Sequence, residues 1–271
     1  MNNSRKFDRG TIQMRKNLML AALSCLVLLA ASPARADESG SAKLGKDTYL
    51  TVGYKLWINS WETAIGQFSG SGQHVNALVA GRDVASIPNL SVKYKNFLVS
   101  GSYMFTGDYN FPAYRDTTRF GTTSSDITFK ASRTESDLNV GYYLTPNLVA
   151  TVGYKNVEQK YTETLAGTTF TPTKTHYNGI TLGIGGAVAI GNGFGMYGNG
   201  AYGVMGASYS PSTTHDTAQY EASEVGFSWH APTVPISASL GYKFQYLTTR
   251  SSGVTSADVT RGYMLGLAYT F

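Results

Sequence analysis

Val259-Thr260-Arg261-Gly262-Tyr263-Met264-Leu265-Gly266-Leu267-Ala268-Tyr269-Thr270-Phe271 ends the chain, and its alternation decides the fold. Val259, Tyr263, Leu265, Leu267, Tyr269 and Phe271 share one parity, while Thr260, Gly262, Met264, Gly266, Ala268 and Thr270 share the other. A period of two is that of a β-strand, and a strand with one greasy side and one small or polar side borders two different media. The preceding stretch repeats the pattern: Val234, Ile236, Ala238, Leu240, Tyr242 and Phe244 oppose Ser237, Ser239, Gly241, Lys243 and Gln245.

Working outward from this end, ten such segments can be read, over residues 46–60, 86–94, 97–107, 127–144, 148–161, 175–190, 194–209, 218–229, 234–249 and 257–271. No amphipathic helix pattern interrupts them. The connections alternate. Tight ones fall at Lys95-Asn96, Thr145-Pro146-Asn147, Gly191-Asn192-Gly193 and residues 230–233, and long polar ones at 61–85, 108–126, 162–174, 210–217 and 250–256. Short turns on one rim, long loops on the other and both ends on the short-turn rim give an all-β fold, an antiparallel up-and-down transmembrane β-barrel of ten strands.

Face composition separates a membrane barrel from a soluble one. A soluble barrel carries Lys and Glu outside and apolar residues inside, whereas the second faces here are small and sparsely charged, as suits a crowded interior. Only 14% of the chain is charged. The apolar faces therefore meet lipid, where a closed barrel satisfies every backbone hydrogen bond. Trp57, Trp61, Phe97, Phe194, Trp229 and Tyr246, near strand ends, are expected to form interfacial girdles.

Residues 1–36 read as a signal peptide: Arg15-Lys16, an apolar run from Leu18 to Ala31, then Ala34-Arg35-Ala36 as the cleavage pattern. Residues 37–271 form the barrel domain. The leader holds Arg5, Lys6, Arg9, Arg15, Lys16 and Arg35 against Asp8, which accounts for the whole formal net charge of +5. The remainder is balanced, so no basic surface argues for nucleic acid. The one cysteine, Cys25, also lies in the leader, so disulfide and thiol chemistry are not expected in the barrel.

Over residues 37–271 the chain resembles the bacterial outer-membrane β-barrel superfamily, at about the strand number of the omptins. The terminal Tyr263-x-Leu265-x-Leu267-x-Tyr269-x-Phe271 resembles the carboxy-terminal signal read by the barrel assembly machinery. The resemblance implies a place in the cell outer membrane among lipid and lipopolysaccharide, insertion by that machinery and a monomeric state. It implies no activity, since this barrel hosts many functions.

Inside, a repeated tetrad stands out: Val52-Gly53-Tyr54-Lys55, Val152-Gly153-Tyr154-Lys155 and Leu240-Gly241-Tyr242-Lys243. Alternation turns each Tyr to lipid and each Lys into the lumen. If Thr145-Pro146-Asn147 is a three-residue turn, Leu144 faces Leu148, Val140 faces Val152, Leu138 faces Tyr154 and Asp137 faces Lys155. Arg133 and Glu135 extend the same inward face, and Glu224 is an inward acid on another strand. Two readings stand: an internal charge network filling a closed barrel, or an anion-tuned pore.

Other chemistry finds little support. The Gly-dense stretches lack the following helix that a phosphate loop needs. Omptin proteases use an Asp pair facing Asp-x-His; here His215-Asp216 are adjacent, and Asp108 and Asp116 form no Asp-x-Asp, so the catalytic motifs are absent. Small barrels that modify lipid A carry a His and a Ser near the outer rim. His74, His176 and His215 are candidates, but no Ser-His spacing picks a nucleophile and base, and His230 falls in a short turn. No metal or cofactor signature is present. Ile65, Phe68, Val75, Leu78 and Val79 could pack as a lid. The expected function is a narrow pore or structural barrel with exposed loops, not an enzyme; the alternatives are a surface adhesin and an outer-membrane protease or lipid A-modifying enzyme.

Overall fold

Twelve strands, β1 (Thr48–Ser69), β2 (Gly72–Val79), β3 (Asp83–Tyr94), β4 (Phe97–Arg115), β5 (Asp126–Thr145), β6 (Leu148–Leu165), β7 (Thr168–Thr169), β8 (Thr173–Gly191), β9 (Phe194–Ser210), β10 (His215–His230), β11 (Ile236–Ser251) and β12 (Val254–Thr270), make up the computed structural model. It describes residues 47–69, 72–79, 82–115, 126–165, 167–251 and 254–271. The signal segment, and the lid side chains Ile65, Phe68, Val75, Leu78 and Val79, lie outside the described residues.

Ten strands pair antiparallel in the ring β1-β3-β4-β5-β6-β8-β9-β10-β11-β12. β12 closes it against β1, from Thr51 opposite Thr270 to Thr63 opposite Asp258. At the foot of this seam the Phe271 amide donates to the Leu50 carbonyl at 2.7 Å, so the last residue is itself a rung of the closure.

The ten segments read from the sequence all appear, and the difference lies in their upper ends. The expected loop over 61–85 continues as strand: β1 runs on to Ser69 and returns through β2, with Glu62 opposite Val79. β4, β6 and β10 likewise invade the expected loops, and β7 pairs with the end of β6. Strand pairing does not stop at the lipid edge, because ladder bonds satisfy the backbone equally well in water. At the short-turn rim β11 starts at Ile236 rather than Val234, since Pro235 has no amide to donate. The turn after β5 also differs by one residue. Tyr143 opposes Val149, but Thr145 then opposes Leu148, leaving Leu144 as a bulge.

One side chain from every wall strand shows the outward belt: Tyr54, Leu90, Val99, Leu138, Tyr154, Ile180, Val204, Phe227, Leu240 and Leu267 are all exposed. A continuous apolar ring of this size cannot stand in water and is the surface of a barrel seated in the outer membrane. Phe97, Phe194 and Trp229 stand exposed at its lower edge. Trp57, Trp61 and Tyr246 do not join a girdle: all three are buried. Trp57 and Trp61 share parity with Lys55 and Asn59 on β1, so they point into the barrel, and alternation overrides their aromatic character.

Candidate functional site

The lumen is packed. Each of the ten wall strands contributes buried side chains, including Trp57, Ile87, Met104, Glu135, Lys155, Tyr177, Met205, Tyr220, Gln245 and Thr260. Three apolar clusters surround a polar layer. Trp57, Ala85, Ile87, Met104 and Met264 form one. Val157, Tyr177, Met205, Ala207, Ala218, Tyr220 and Leu247 form a second along the β6 to β11 wall. Trp61, Tyr109, Phe111, Phe129 and Ala131 form the third, with Trp61 edge-on to Tyr109 at 5.1 Å between ring centres. Below these, toward the short turns, a recess of about 610 Å³ is lined by Asp47, Tyr49, Lys93, Lys95, Asn96 and Tyr143 among others.

The polar layer contains the inward charges read from the sequence. Asp137 faces Lys155 across the β5–β6 ladder. The Lys155 ammonium lies 3.0 Å from Asp137 and 2.7 Å from Glu135, and 4.9 Å from the centre of the Tyr220 ring. Arg133 binds Glu135 at 2.7 Å. Lys55 reaches Glu224 at 3.3 Å, and the Tyr197 hydroxyl donates to the same carboxylate at 2.9 Å. Lys243 joins differently: its ammonium sits 4.6 Å over the Trp57 ring. In a site with little water each carboxylate needs such partners, because losing one leaves a charge uncompensated.

Three uncharged partners, Thr260, Gln245 and Tyr220, complete the layer, and sequence reading did not mark them as site residues. Arg133 donates to Thr260 at 3.0 Å and to Gln245 at 3.1 Å, and Gln245 donates to Glu135 and to the Tyr220 hydroxyl, each at 3.0 Å. Strands β5 and β11 stand five places apart in the ring of ten, so the Arg133–Gln245–Glu135 bonds cross the full width of the barrel. The parity of Gln245, shared with Lys243, was the signal that pointed it inward. Above the layer the Trp61 indole donates to the buried Asp258 at 3.2 Å, and the Tyr109 hydroxyl donates to Asn59 at 2.7 Å.

The terminal residues Tyr263, Leu265, Leu267, Tyr269 and Phe271 are exposed on the outward face of β12. Of the histidines, His176 lies on β8, His215 opens β10 and His230 ends it; the side chain of His74 lies outside the described residues. Among the described residues no group of three His, Cys, Asp or Glu side chains is placed to hold a metal ion.

No protein-family model matches the chain, and no curated protein does. Solved structures do. The outer membrane protease OmpT of Escherichia coli superposes with a TM-score of 0.55 at 13% identity, over 82% of this chain and 97% of that one. OprG, an outer membrane protein of Pseudomonas aeruginosa, gives 0.39 at 12% identity, over 87% and 99%. Ail, the attachment invasion locus protein of Yersinia pestis, gives 0.33 at 10%, over 83% and 100%. The likeness to OmpT is one of fold, that of a small outer-membrane β-barrel.

Proposed function

We propose that this is a sealed outer-membrane barrel that works at its outer surface rather than by conducting solutes through its lumen. The observation that carries the reading is the chain of bonds from Arg133 and Glu135 on β5 to Gln245 on the opposite wall. A conducting pore needs a continuous file of water, whose walls are wetted. Here Arg133, Lys155 and Gln245 are each 1% exposed. The lysines that suggested an anion-tuned pore are instead matched to acids or to an aromatic ring, the arrangement that fills a closed barrel. The strands that rise past the belt give the outer end a paired-strand surface for contact with lipopolysaccharide or with a partner. An unbroken apolar ring on all ten strands favours a monomer surrounded by lipid, delivered by the barrel assembly machinery.

Planar-bilayer recording of the purified protein tests this. The wild type should give no discrete openings at either polarity, and single replacements of Lys55 or Lys243 by alanine should leave it silent. Steady unitary currents that change ion preference in those variants would show a pore and overturn the reading.

A further inference from the structure

We propose that Glu158, His176, Ser208 and His215, on four consecutive wall strands, form a serine esterase site on the outward face of the barrel, acting on acyl esters of the surrounding lipid. Three registers bring them into one row. Glu158 on β6 opposes His176 on β8, His176 opposes Ser208 on β9, and Ser208 opposes His215 on β10. The order across the sheet is therefore acid, imidazole, hydroxyl, imidazole.

Parity puts the row outside. On β9 the lumen side holds buried Met205 and Ala207, and Ser208 shares the side of exposed Val204. On β8 buried Thr175 and Tyr177 flank His176, which shares the side of exposed Ile180. On β6 buried Val157 and Gln159 flank Glu158, which shares the side of exposed Tyr154. The row thus stands two outward positions beyond Tyr154, Ile180 and Val204, where the apolar belt gives way to water. An acyl chain can lie down the belt from there while its ester reaches the row.

Directly opposed side chains on antiparallel strands have Cβ atoms about 4.5–5.5 Å apart, within which a histidine ring reaches a serine hydroxyl by rotamer choice. His176 and Ser208 are half-buried, His215 is exposed, and among the described residues none of the three side chains makes a hydrogen bond, with one another or with any other group, so each is available to the row. Glu158 pairs only loosely with Lys174, at 3.8 Å with both side chains about half exposed, so its carboxylate is free to turn to His176. Catalytic contacts of this kind tighten when substrate arrives.

The chemistry balances without a co-reactant. Ser208 Oγ attacks the ester carbonyl carbon as His176 takes the hydroxyl proton, and His215 donates a hydrogen bond to the oxyanion. The carbon–oxygen bond to the alcohol breaks, and that oxygen takes the proton from His176. Water then adds to the acyl-serine by the same relay, giving a carboxylic acid and free Ser208. Ser208 and His176 are the catalytic residues, and Glu158 is a positioning residue that orients His176 and stabilises its charged form.

This goes beyond the sealed-barrel reading and is measured independently of it, since conductance does not report on ester cleavage. The full chain, refolded in detergent, is labelled with a fluorophosphonate and assayed on p-nitrophenyl octanoate, on phosphatidylethanolamine vesicles and on purified lipopolysaccharide. The expected result is label on Ser208, fatty acid release from one or both lipids, and loss of both in Ser208→Ala. His176→Ala should fall at least about 100-fold. Ser210→Ala, one outward position farther along β9, should keep label and rate. In Glu158→Gln kcat should fall about 10-fold with KM little changed, the split expected when the imidazole loses the group that orients it in the transition state. The two lipid arms tell a phospholipid substrate from an acylated glycolipid. An unlabelled, inactive wild-type barrel that is folded by heat-modifiable gel mobility would overturn the proposal, as would activity that survives in Ser208→Ala.

Discussion

Replacing Lys155 with methionine should lower the unfolding free energy of the barrel by about 3–5 kcal/mol, read by denaturant titration of the protein in lipid vesicles. The side chain is 1% exposed and holds Glu135 at 2.7 Å and Asp137 at 3.0 Å. Methionine fills much of the same volume, so packing is little changed and the loss is electrostatic. Glu135 keeps Arg133 and Gln245. Asp137 makes no other ion pair among the described residues, and its charge, left without Lys155, carries most of the penalty. A second change, Lys155→Met with Asp137→Asn, removes that charge and should recover more than half of the loss. Additive losses in the double variant would mean that the two residues do not depend on one another.

Leu240→Arg should cost about 2–4 kcal/mol in the same titration, while Ile236→Arg, four residues nearer the short-turn rim on the same strand, should cost no more than about 1 kcal/mol. Leu240 is outward and exposed midway along the apolar run of β11, flanked by Phe227 and Leu265 on the neighbouring strands. A guanidinium there stands in hydrocarbon with no partner, whereas at position 236 it can snorkel to the headgroups. Equal costs at the two positions would mean that the outward face is not graded by a bilayer.

Most of the architecture was legible because alternation and turn chemistry are local. The ten segments and the tight turns follow from those signals, and the opposition of Asp137 to Lys155 from counting across the connection after β5. Even there the bulge at Leu144 changed the first pair without disturbing the rest. The strand extensions were not legible, because polar residues above the lipid edge look the same in loop and ladder. Trp57 and Trp61 were misplaced by composition although their parity already pointed inward. Counting across the Gly191-Asn192-Gly193 turn gives His176 opposite Ser208, but it could not complete the row from Glu158 to His215. Two of its three registers run through the long connections after β6 and β9, where length does not fix pairing. Histidines that appear scattered along the chain thereby become neighbours only in the folded sheet.

The account rests on which side of each strand meets lipid, and β12 reports this most directly. In a Cys25→Ser background, single cysteines at positions 263, 264, 265, 266 and 267 would each carry a small fluorophore, and quenching by brominated lipid would be recorded. Strong quenching at 263, 265 and 267 with little at 264 and 266 is the predicted pattern. Quenching at 264 and 266 with silence at 265 and 267 would turn the barrel inside out and contradict the account.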